Sequence, residues 1–213
     1  MNDLLQVSET FVSIQGESTF AGCPFFFIRL TGCNLRCSYC DTPSAFTGGE
    51  PKTIPQLVDE FRAGGLAYVE VTGGEPLLQP GTPTLLKALL AARPDAVVLV
   101  ETNGSQDIAL VPPGVIAIID IKCPASGVSA AMNWKNLERL RPHDEIKFVI
   151  SGRADFDWAV RIVNEHRLAS KCHAVLFSPV LGRVEPAALA EWLLAARVPV
   201  RLNLQLHKLM GVR

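Results

Sequence analysis

Residues 25–40 read FFFIRLTGCNLRCSYC, an apolar run followed directly by three crowded cysteines. The run is rich in aromatic and aliphatic side chains, which favour a strand over a loop. We therefore expect a strand at residues 25–31 with a cysteine-bearing loop at its carboxyl end.

Outside this segment, short strand-like runs alternate with helical patterns. The candidate strands are residues 7–14, 25–31, 68–72, 97–101, 115–121, 146–150, 173–177 and 200–204, and the candidate helices are residues 54–63, 82–92, 133–140, 155–168 and 186–196. Thr53 and Thr82 are the expected N-caps of the first two helices, with Pro55 and Pro83 close behind them. The alternation predicts βαβ units and a parallel sheet with right-handed crossovers.

No clear helix follows Asn103, and 213 residues are few for a closed barrel of eight βα units, which typically needs about 250. We therefore predict an α/β fold, namely an incomplete, open (β/α) barrel in one domain over residues 1–213. In such sheets the chemistry lies at the carboxyl ends of the strands. The four most informative motifs follow predicted strands: GCNLRCSYC, TGGEP, ETNG and DIKCP.

Composition excludes several classes of function. The formal net charge is -1, which argues against a surface that binds nucleic acid by neutralising phosphates. No segment reaches the roughly 18 to 20 apolar residues that a membrane span needs, and the first residues, MNDLLQVSETF, do not resemble a secretory signal. We expect a cytoplasmic protein whose cysteines stay reduced.

Three of the six cysteines have the spacing Cys-x3-Cys-x2-Cys at Cys33, Cys37 and Cys40. Three thiolates on one short loop can bind three irons of a [4Fe–4S] cluster and leave the fourth iron open to another ligand. An open coordination position distinguishes a reactive metal site from a closed structural one. The scattered cysteines are interpreted as ordinary small apolar residues: Cys23, Cys123 and Cys172.

Two other metal sites compete with this interpretation. A zinc ribbon would need a second Cys-x2-Cys or a spaced pair of histidines, and the sequence has neither. An electron-transfer ferredoxin would need a fourth cysteine nearby and no large βα scaffold. Both alternatives fit the sequence less well than a reactive cluster.

The cysteine spacing, with Tyr39 before the last cysteine, resembles the radical S-adenosylmethionine superfamily. The resemblance implies a full or partial (β/α)6 barrel in which the open iron holds the methionyl group of S-adenosylmethionine. Electron transfer to this cofactor then releases a 5′-deoxyadenosyl radical. Residues 73–76, Gly-Gly-Glu-Pro, resemble the superfamily loop that binds the methionyl amine; taken alone they would indicate only a turn. Glycines let the backbone approach a ligand, and the Glu75 carboxylate is suited to accept from an ammonium.

A narrower resemblance, nearly end to end, is to the 7-carboxy-7-deazaguanine synthase family of queuosine precursor biosynthesis. It rests on residues 14–17 (Ile-Gln-Gly-Glu), on Asp41-Thr42 after Cys40, on Arg29 with Thr72, and on residues 204–208 (LQLHK). The resemblance implies a lyase that contracts the ring of 6-carboxy-5,6,7,8-tetrahydropterin. The products are 7-carboxy-7-deazaguanine and ammonia, and Mg²⁺ is required.

The resemblance also implies roles for individual residues around the cysteines. Thr42 resembles the Mg²⁺ ligand of the family, since one hydroxyl suits an ion that keeps much of its hydration. The implied substrate contacts are Ile14, Gln15, Gly16, Glu17, Arg29, Thr72, His207 and the carboxylate of Arg213. The implied S-adenosylmethionine contacts are Tyr39, Asp41, Gly73, Gly74, Glu75, Lys122, Ser178, Pro179 and Val180.

Simpler interpretations exist for several of these residues. Lys122 could be a solvated lysine at a strand end, Arg29 and Glu17 could pair with each other, and Thr42 could be an N-cap. The histidines at 143, 166 and 173 are interpreted as surface or satisfied positions.

The nearest rival function is an activase that makes a glycyl radical on a protein partner, because such enzymes share both cofactor motifs. As partners we expect a second copy of the chain, forming a homodimer that covers the open sheet edge. A flavodoxin or ferredoxin is the expected electron donor.

Overall fold

The computed structural model describes residues 4–212. Within that range the strands are β1 (Leu4–Ile14), β2 (Pro24–Leu30), β3 (Glu50–Thr53), β4 (Tyr68–Gly73), β5 (Val97–Thr102), β6 (Ile116–Ile121), β7 (Glu145–Ile150), β8 (Ala174–Pro179) and β9 (Arg201–Leu202). The α-helices of the same range are α1 (Ile54–Ala63), α2 (Thr82–Ala92), α3 (Arg153–Glu165), α4 (Pro186–Ala196) and α5 (Leu206–Met210).

The strands form one mixed sheet in the order β3-β1-β2-β4-β5-β6-β7-β8-β9, which is not closed into a barrel. From β2 to β9 every neighbouring pair is parallel. The α/β class and the open barrel are therefore confirmed. The expectation of a wholly parallel sheet is wrong, because β1 runs antiparallel to both β2 and β3. A short connection joins β1 directly to β2, and only an antiparallel pair can be joined in that way.

The sheet has two chemically different faces. On the outer face, alternate residues such as Val69 and Val100 pack with the buried leucines of α2 in the main apolar core. On the inner face, a smaller apolar cluster contains Leu99 and Ile118. Two residues further along β5 and β6, the same face carries Glu101 and Asp120. The inner face thus changes from apolar to charged toward the carboxyl ends of the strands.

The predicted ends of α1, α2 and α4 are confirmed. Thr53 caps α1 through a reciprocal pair of bonds with Gln56. The predicted cap of α2 is wrong, because Gly81 occupies that position and the Thr82 hydroxyl donates to the carbonyl of Pro76 at 2.6 Å. The predicted helix at residues 155–168 begins and ends earlier, at Arg153–Glu165.

The helix predicted at residues 133–140 is wrong, since the structure has only a 3₁₀ helix at Trp134–Glu138. The buried Asn136 side chain donates to the carbonyls of Gly104 and Gln106 and accepts from the Ile108 amide. These tertiary bonds hold the segment against the chain that follows β5. Pro142 disfavours helical geometry at the residue before it and so limits any extension.

The connection between β1 and β2 reaches across the inner side of the open barrel. The Thr19 amide donates to Glu145 of β7 at 3.1 Å, and the Asn203 side chain donates to the Ser18 carbonyl at 3.2 Å. This connection therefore partly covers the gap between the two ends of the sheet. None of the helices in residues 4–212 is long and apolar enough to cross a membrane.

The packing of α2 gives a first prediction. Leu89 is fully buried in the main core, whereas Leu194 on α4 is 78% exposed. Leu89→Ala should lower the free energy of unfolding by about 2–5 kcal/mol, because it leaves a cavity that the core cannot fill. Leu194→Ala should change it by less than about 0.5 kcal/mol. Urea titrations of both variants measure these values, and equal costs would contradict the described packing.

Candidate active site

A cavity of about 200 Å³ lies at the carboxyl ends of the parallel strands. Seventeen of the residues singled out in the sequence line it, and these are Ile14, Gln15, Gly16, Glu17, Arg29, Cys33, Cys37, Tyr39, Cys40, Asp41, Thr42, Thr72, Gly73, Gly74, Lys122, Val180 and His207. Glu75, Ser178 and Pro179 are not among the lining residues. Arg213 lies outside the described residues.

The three cysteines of the loop are free thiols that face this one cavity. The Cys33 sulfur accepts from the Leu35 amide at 3.4 Å, and the Arg36 guanidinium donates to the Cys33 carbonyl at 2.9 Å. Burial raises the pKa of the Cys37 thiol, so bound iron would be needed to hold it as a thiolate. No group of three ligands for a single metal ion occurs among the described residues. An iron–sulfur cluster does not need such a group, because each of its thiolates binds a different iron.

Gly73 and Gly74 pack against the start of the cysteine loop. Gly73 has a φ of +146°, and a Cβ there would lie 2.1 Å from the Leu30 carbonyl oxygen. A Cβ on Gly74 would lie 2.3 Å from the Gly32 carbonyl oxygen and 2.8 Å from the Cβ of Cys33. Only glycine therefore allows this loop to pass so close to the cysteine loop.

The structure contradicts the expectation that the Glu75 carboxylate faces a ligand. The carboxylate is fully buried and accepts from the Thr102 hydroxyl at 2.9 Å, the Asn103 amide at 2.6 Å and the Leu77 amide at 3.0 Å. Burial raises the pKa of Glu75 against the opposing effect of these bonds. The side chain therefore ties the loop after β4 to the end of β5, behind the cavity wall.

Ser178 and Pro179 also lie behind the wall, as buried residues at the end of β8. Among the three residues of that turn, only Val180 lines the cavity. The alternative of a solvated Lys122 is wrong, because its ammonium is largely buried and pairs with Asp120 at 2.8 Å.

The simple interpretation of Arg29 also fails, because Arg29 pairs with Glu9 at 2.9 Å and so has a partner other than Glu17. Thr42 does occupy the N-cap position of a short 3₁₀ helix at Pro43–Phe46, but its side chain makes no cap bond. Its hydroxyl instead lies 3.3 Å from a carboxylate oxygen of Asp41.

The floor of the cavity contains a buried lysine among carboxylates. The Lys147 ammonium lies 2.5 Å from Glu17, 3.4 Å from Asp120 and within hydrogen-bond distance of Glu101. Burial favours the neutral amine, but the three carboxylates overcome it and raise the pKa of Lys147 well above its usual value. Despite burial, Lys147 likewise lowers the pKa of Glu17. Ion pairs therefore hold charges here that burial alone would remove.

A second buried carboxyl, Glu70, accepts a hydrogen bond from the side-chain amide of Gln15. The carbonyl end of the same Gln15 side chain accepts from the Glu17 amide at 3.1 Å. Burial and then the neighbouring Glu101 raise the pKa of Glu70 well above its usual value. Glu70 therefore differs from Glu17, which Lys147 keeps ionised.

The C-terminal helix α5 covers one side of the cavity. Gln205, its cap residue, donates to Glu17 at 2.5 Å, and Lys208 pairs with Asp41 at 2.6 Å. The Lys208 ammonium outweighs burial and lowers the pKa of Asp41 to about 2. A Cβ on Gly16 would fall 1.9 Å from the His207 ring, so a glycine is required where α5 meets the end of β1. Burial lowers the pKa of His207, which favours the neutral ring.

Comparisons with known proteins place this geometry in a family. Residues 27–119 match the model of the Radical SAM superfamily. The 7-carboxy-7-deazaguanine synthase of Chlorobaculum tepidum is 47% identical over 207 residues, covering 96% of this chain and 93% of that protein. The enzyme of the same name from Koribacter versatilis is 42% identical, and 96% of each chain is covered.

The chain belongs to the 7-carboxy-7-deazaguanine synthase family. Solved structures agree on the fold. QueE from Escherichia coli has a TM-score of 0.77 at 22% identity, with 95% of this chain and 94% of that chain covered. SuiB from Streptococcus suis has a TM-score of 0.57 at 14% identity, with 82% of this chain and 46% of that chain covered.

In this 7-carboxy-7-deazaguanine synthase family member the charged floor was not predicted from the sequence, although Glu101 and Asp120 begin the motifs ETNG and DIKCP. Its side chains are charged residues inside otherwise apolar strands: Glu70 in YVEV, Glu101 in VVLVE, Asp120 in IIDI and Lys147 in EIKFVI. Because strand side chains alternate between faces, such charges indicate a polar inner face, and this signal was available. Five further lining residues stand in the motifs GCNLRCSYC, ETNG and LQLHK but were given no role of their own: Leu35, Thr102, Asn103, Gln205 and Lys208. The remaining lining residues carry no individual signal: Phe11, Phe27, Phe46 and Val149.

The lysine at the floor gives a second prediction. Lys147→Met should lower the free energy of unfolding by about 3–5 kcal/mol at pH 7.5, because it leaves buried carboxylates without their cation. The loss should be smaller at pH 5, where those carboxylates can take up protons in the variant. Denaturant titrations at the two pH values measure this, with the exposed Lys87→Met as the matched control. A variant as stable as the wild type at pH 7.5 would contradict the described ion pairs.

The glycine loop gives a third prediction. Gly74→Ala should force the loop away from Cys33, reduce the iron bound after anaerobic reconstitution and lower the free energy of unfolding by about 1–3 kcal/mol. Gly152→Ala is the matched control, since a Cβ there meets nothing within 4 Å. Iron and sulfide analysis of both variants measures the effect. Full iron content in the Gly74 variant would show that the close approach is not needed.

Proposed function

We propose that this chain acts as a 7-carboxy-7-deazaguanine synthase of queuosine and 7-deazapurine biosynthesis. It is a radical S-adenosylmethionine lyase that converts 6-carboxy-5,6,7,8-tetrahydropterin to 7-carboxy-7-deazaguanine and ammonia. The observation that carries the proposal is the composition of one cavity. Three free cysteines line one part of it, and the amide, carboxylate and guanidinium of Gln15, Glu17 and Arg29 line another.

The residues present fit the cofactors of the superfamily, a [4Fe–4S] cluster and S-adenosylmethionine. Cys33, Cys37 and Cys40 would hold three irons of the cluster, and the loop carries no fourth cysteine. The packing of Gly74 against Cys33 supports this assignment, because it leaves the glycine backbone beside the cysteine loop. When bound, the cluster and S-adenosylmethionine together supply the abstraction of a hydrogen atom from carbon.

On the cofactor side, we assign S-adenosylmethionine contacts to residues around the cysteines. These are Tyr39, Asp41, Gly73, Gly74, Lys122 and Val180, all of which line the cavity. Glu75, Ser178 and Pro179 act behind them by fixing the loops that carry the contacts. Lys122 remains charged because Asp120 outweighs burial and raises its pKa, so it offers a hydrogen-bond donor to ribose or carboxylate oxygens.

On the substrate side, the polar groups match the edges of a pterin. The Gln15 side chain offers both a donor and an acceptor to the amide and amino edge, beside the backbone of Ile14 and Gly16. Glu17 accepts from ring N–H groups. Arg29 uses its Nε for Glu9, and its remaining N–H groups are suited to clamp the substrate carboxylate.

Thr72 and His207 complete this wall of the cavity. His207 is held at Gly16 by the bond from the Leu206 amide to the Gly16 carbonyl at 2.9 Å. As a neutral ring it presents one donor and one acceptor nitrogen to the substrate. Arg213, which lies outside the described residues, is the remaining proposed substrate contact.

The Mg²⁺ that this family requires is assigned to Thr42. The Thr42 hydroxyl lines the cavity beside the Asp41 carboxylate, which Lys208 already neutralises. One neutral oxygen ligand, with waters and substrate oxygens, suits an ion that dehydrates reluctantly.

We also propose a homodimer, a flavodoxin or ferredoxin as electron donor, and a cytoplasmic location. The dimer is supported by the open sheet, whose short edge strand β9 needs cover. The donor is supported by the exposure of the cysteine loop at Asn34, Arg36 and Ser38. The location is supported by six free cysteines, which need a reducing compartment.

The fourth prediction tests the function directly. Reconstituted enzyme with a reductant, S-adenosylmethionine and 6-carboxytetrahydropterin should form 7-carboxy-7-deazaguanine under anaerobic conditions, and faster with Mg²⁺ than with EDTA. Thr42→Ala should keep its iron and lose most of the response to Mg²⁺. Chromatography of the products and iron analysis measure both results. Deoxyadenosine without a deazapurine would refute the synthase assignment and favour an activase, and loss of iron in the Thr42 variant would mark Thr42 as structural.

A further inference from the structure

Glu70 is a buried carboxyl that the proposed function leaves without a role. It lies on the inner face of β4, is 2% exposed and lines the cavity. Among the described residues its hydrogen-bond partner is the Gln15 amide nitrogen, and no cation lies within ion-pair distance of it. The nearby Lys147 pairs with three other carboxylates instead.

The bond from Gln15 to Glu70 decides which way the Gln15 amide points. The two ends of a glutamine amide have nearly the same shape, so sterics alone would not fix their order. In the structure the oxygen accepts from the Glu17 amide at 3.1 Å, and the nitrogen donates to Glu70. One N–H and one lone pair of the Gln15 amide then remain for a ligand, and the two bonds fix which side offers the donor and which the acceptor.

We propose that Glu70 is a positioning residue for substrate recognition, acting through the side chain of Gln15. Glu70 holds the Gln15 amide so that its free N–H and its free lone pair face the acceptor and the donor on the edge of a pyrimidinone ring. This inference rests on the proposed function, because it takes the pterin to be the ligand that Gln15 contacts. Glu70, a residue of β4, would thus contribute to recognition of the pterin ring through Gln15, without contacting the ring itself.

The surroundings of Glu70 favour a neutral carboxyl. Burial and then Glu101 raise the pKa of Glu70 and Glu17 adds to this effect, which outweighs the opposing effects of the Gln15 hydrogen bond and of Lys147. On β2, the register places the apolar Phe27 beside Glu70. Arg29, the next inward residue of β2, pairs with Glu9. A neutral carboxyl keeps a carbonyl that accepts from Gln15, and a glutamine at position 70 offers the same carbonyl without charge.

The fifth prediction compares three substitutions of Glu70. Glu70→Leu removes the oxygen that accepts from Gln15. Glu70→Asp shortens the side chain by one methylene and so moves that oxygen away, and Glu70→Gln keeps it in place. The matched control is Glu145→Gln, which alters another buried carboxyl of the inner face, outside the cavity lining. The binding probe is 6-carboxypterin, an oxidised and fluorescent relative of the substrate, titrated into reconstituted enzyme with S-adenosylmethionine.

We expect Glu70→Leu and Glu70→Asp to weaken probe binding and raise KM by about tenfold, as expected for a lost buried hydrogen bond. The turnover number should change by less than about threefold, and deoxyadenosine release without substrate should stay at the wild-type level. Glu70→Gln and Glu145→Gln should bind the probe within about threefold of wild type. A purely structural role would instead lower stability and turnover together, which thermal unfolding of each variant would reveal.

The two proposals fail in different ways. If wild type binds the probe but Glu70→Leu and Glu70→Asp bind it equally well, the role of Glu70 is refuted and the synthase assignment stands. If Glu70→Gln binds as weakly as Glu70→Asp, recognition depends on the acid itself and the positioning role is refuted. If wild type makes no deazapurine, the synthase assignment fails. If wild type does not bind the probe, KM for 6-carboxytetrahydropterin decides instead, and an unchanged KM in Glu70→Leu and Glu70→Asp refutes the role of Glu70.

Discussion

The candidate site depends on the ion pairs that the buried Lys147 ammonium forms. Lys147 lies on β7 and reaches carboxylates from three other parts of the chain: Glu17 after β1, Glu101 on β5 and Asp120 on β6. Without it, Glu17 and Glu101 would lose this cation in a buried space, where like charges drive carboxylates to take up protons, while Asp120 would keep Lys122. Burial still raises the pKa of Glu101, but the lysines outweigh burial and lower the pKa of Glu17 and of Asp120. The buried cations therefore let the cavity keep ionised acceptors for a substrate rich in N–H groups.

The same ion pairs connect the two halves of the site. Glu17 is held by Lys147 on one side and by Gln205 on the other. Gln205 begins α5, and Lys208 on that helix pairs with Asp41, directly after the cysteine loop. The proposed substrate wall, the C-terminal helix and the proposed cluster loop thus form one chain of charge-assisted bonds.

Much of the fold could be predicted, because local signals and tertiary packing agreed. Thr53 caps α1 as its sequence indicates, and α2 and α4 have the predicted ends. Strand β3 was missed because its residues, Glu50–Thr53, are polar and include a proline; it exists through its pairing with β1. The helix predicted at residues 133–140 failed for the opposite reason, since Asn136 takes its hydrogen bonds from distant backbone.

For the site, spacing predicted the cysteine loop and resemblance predicted most of the polar wall. Neither could show where the Glu75 carboxylate points, because a motif specifies residue types and not the partners that a side chain finds. Glu75 turned away to bond Thr102 and Asn103 at the end of another strand. The charged floor could have been predicted from the alternation of strand side chains, since Glu70 and Lys147 interrupt apolar strands. The partner of each could not, because Glu70 bonds Gln15 and Lys147 pairs with Glu17, Glu101 and Asp120, all far away in sequence.

The most direct test of the account is a crystal structure of the anaerobically reconstituted protein with S-adenosylmethionine and 6-carboxytetrahydropterin. We expect a cluster on Cys33, Cys37 and Cys40, with the pterin edge on Gln15 and Glu17 above an undisturbed Lys147. A pterin bound outside this cavity, or a Lys147 that leaves its carboxylates when the ligand binds, would contradict it.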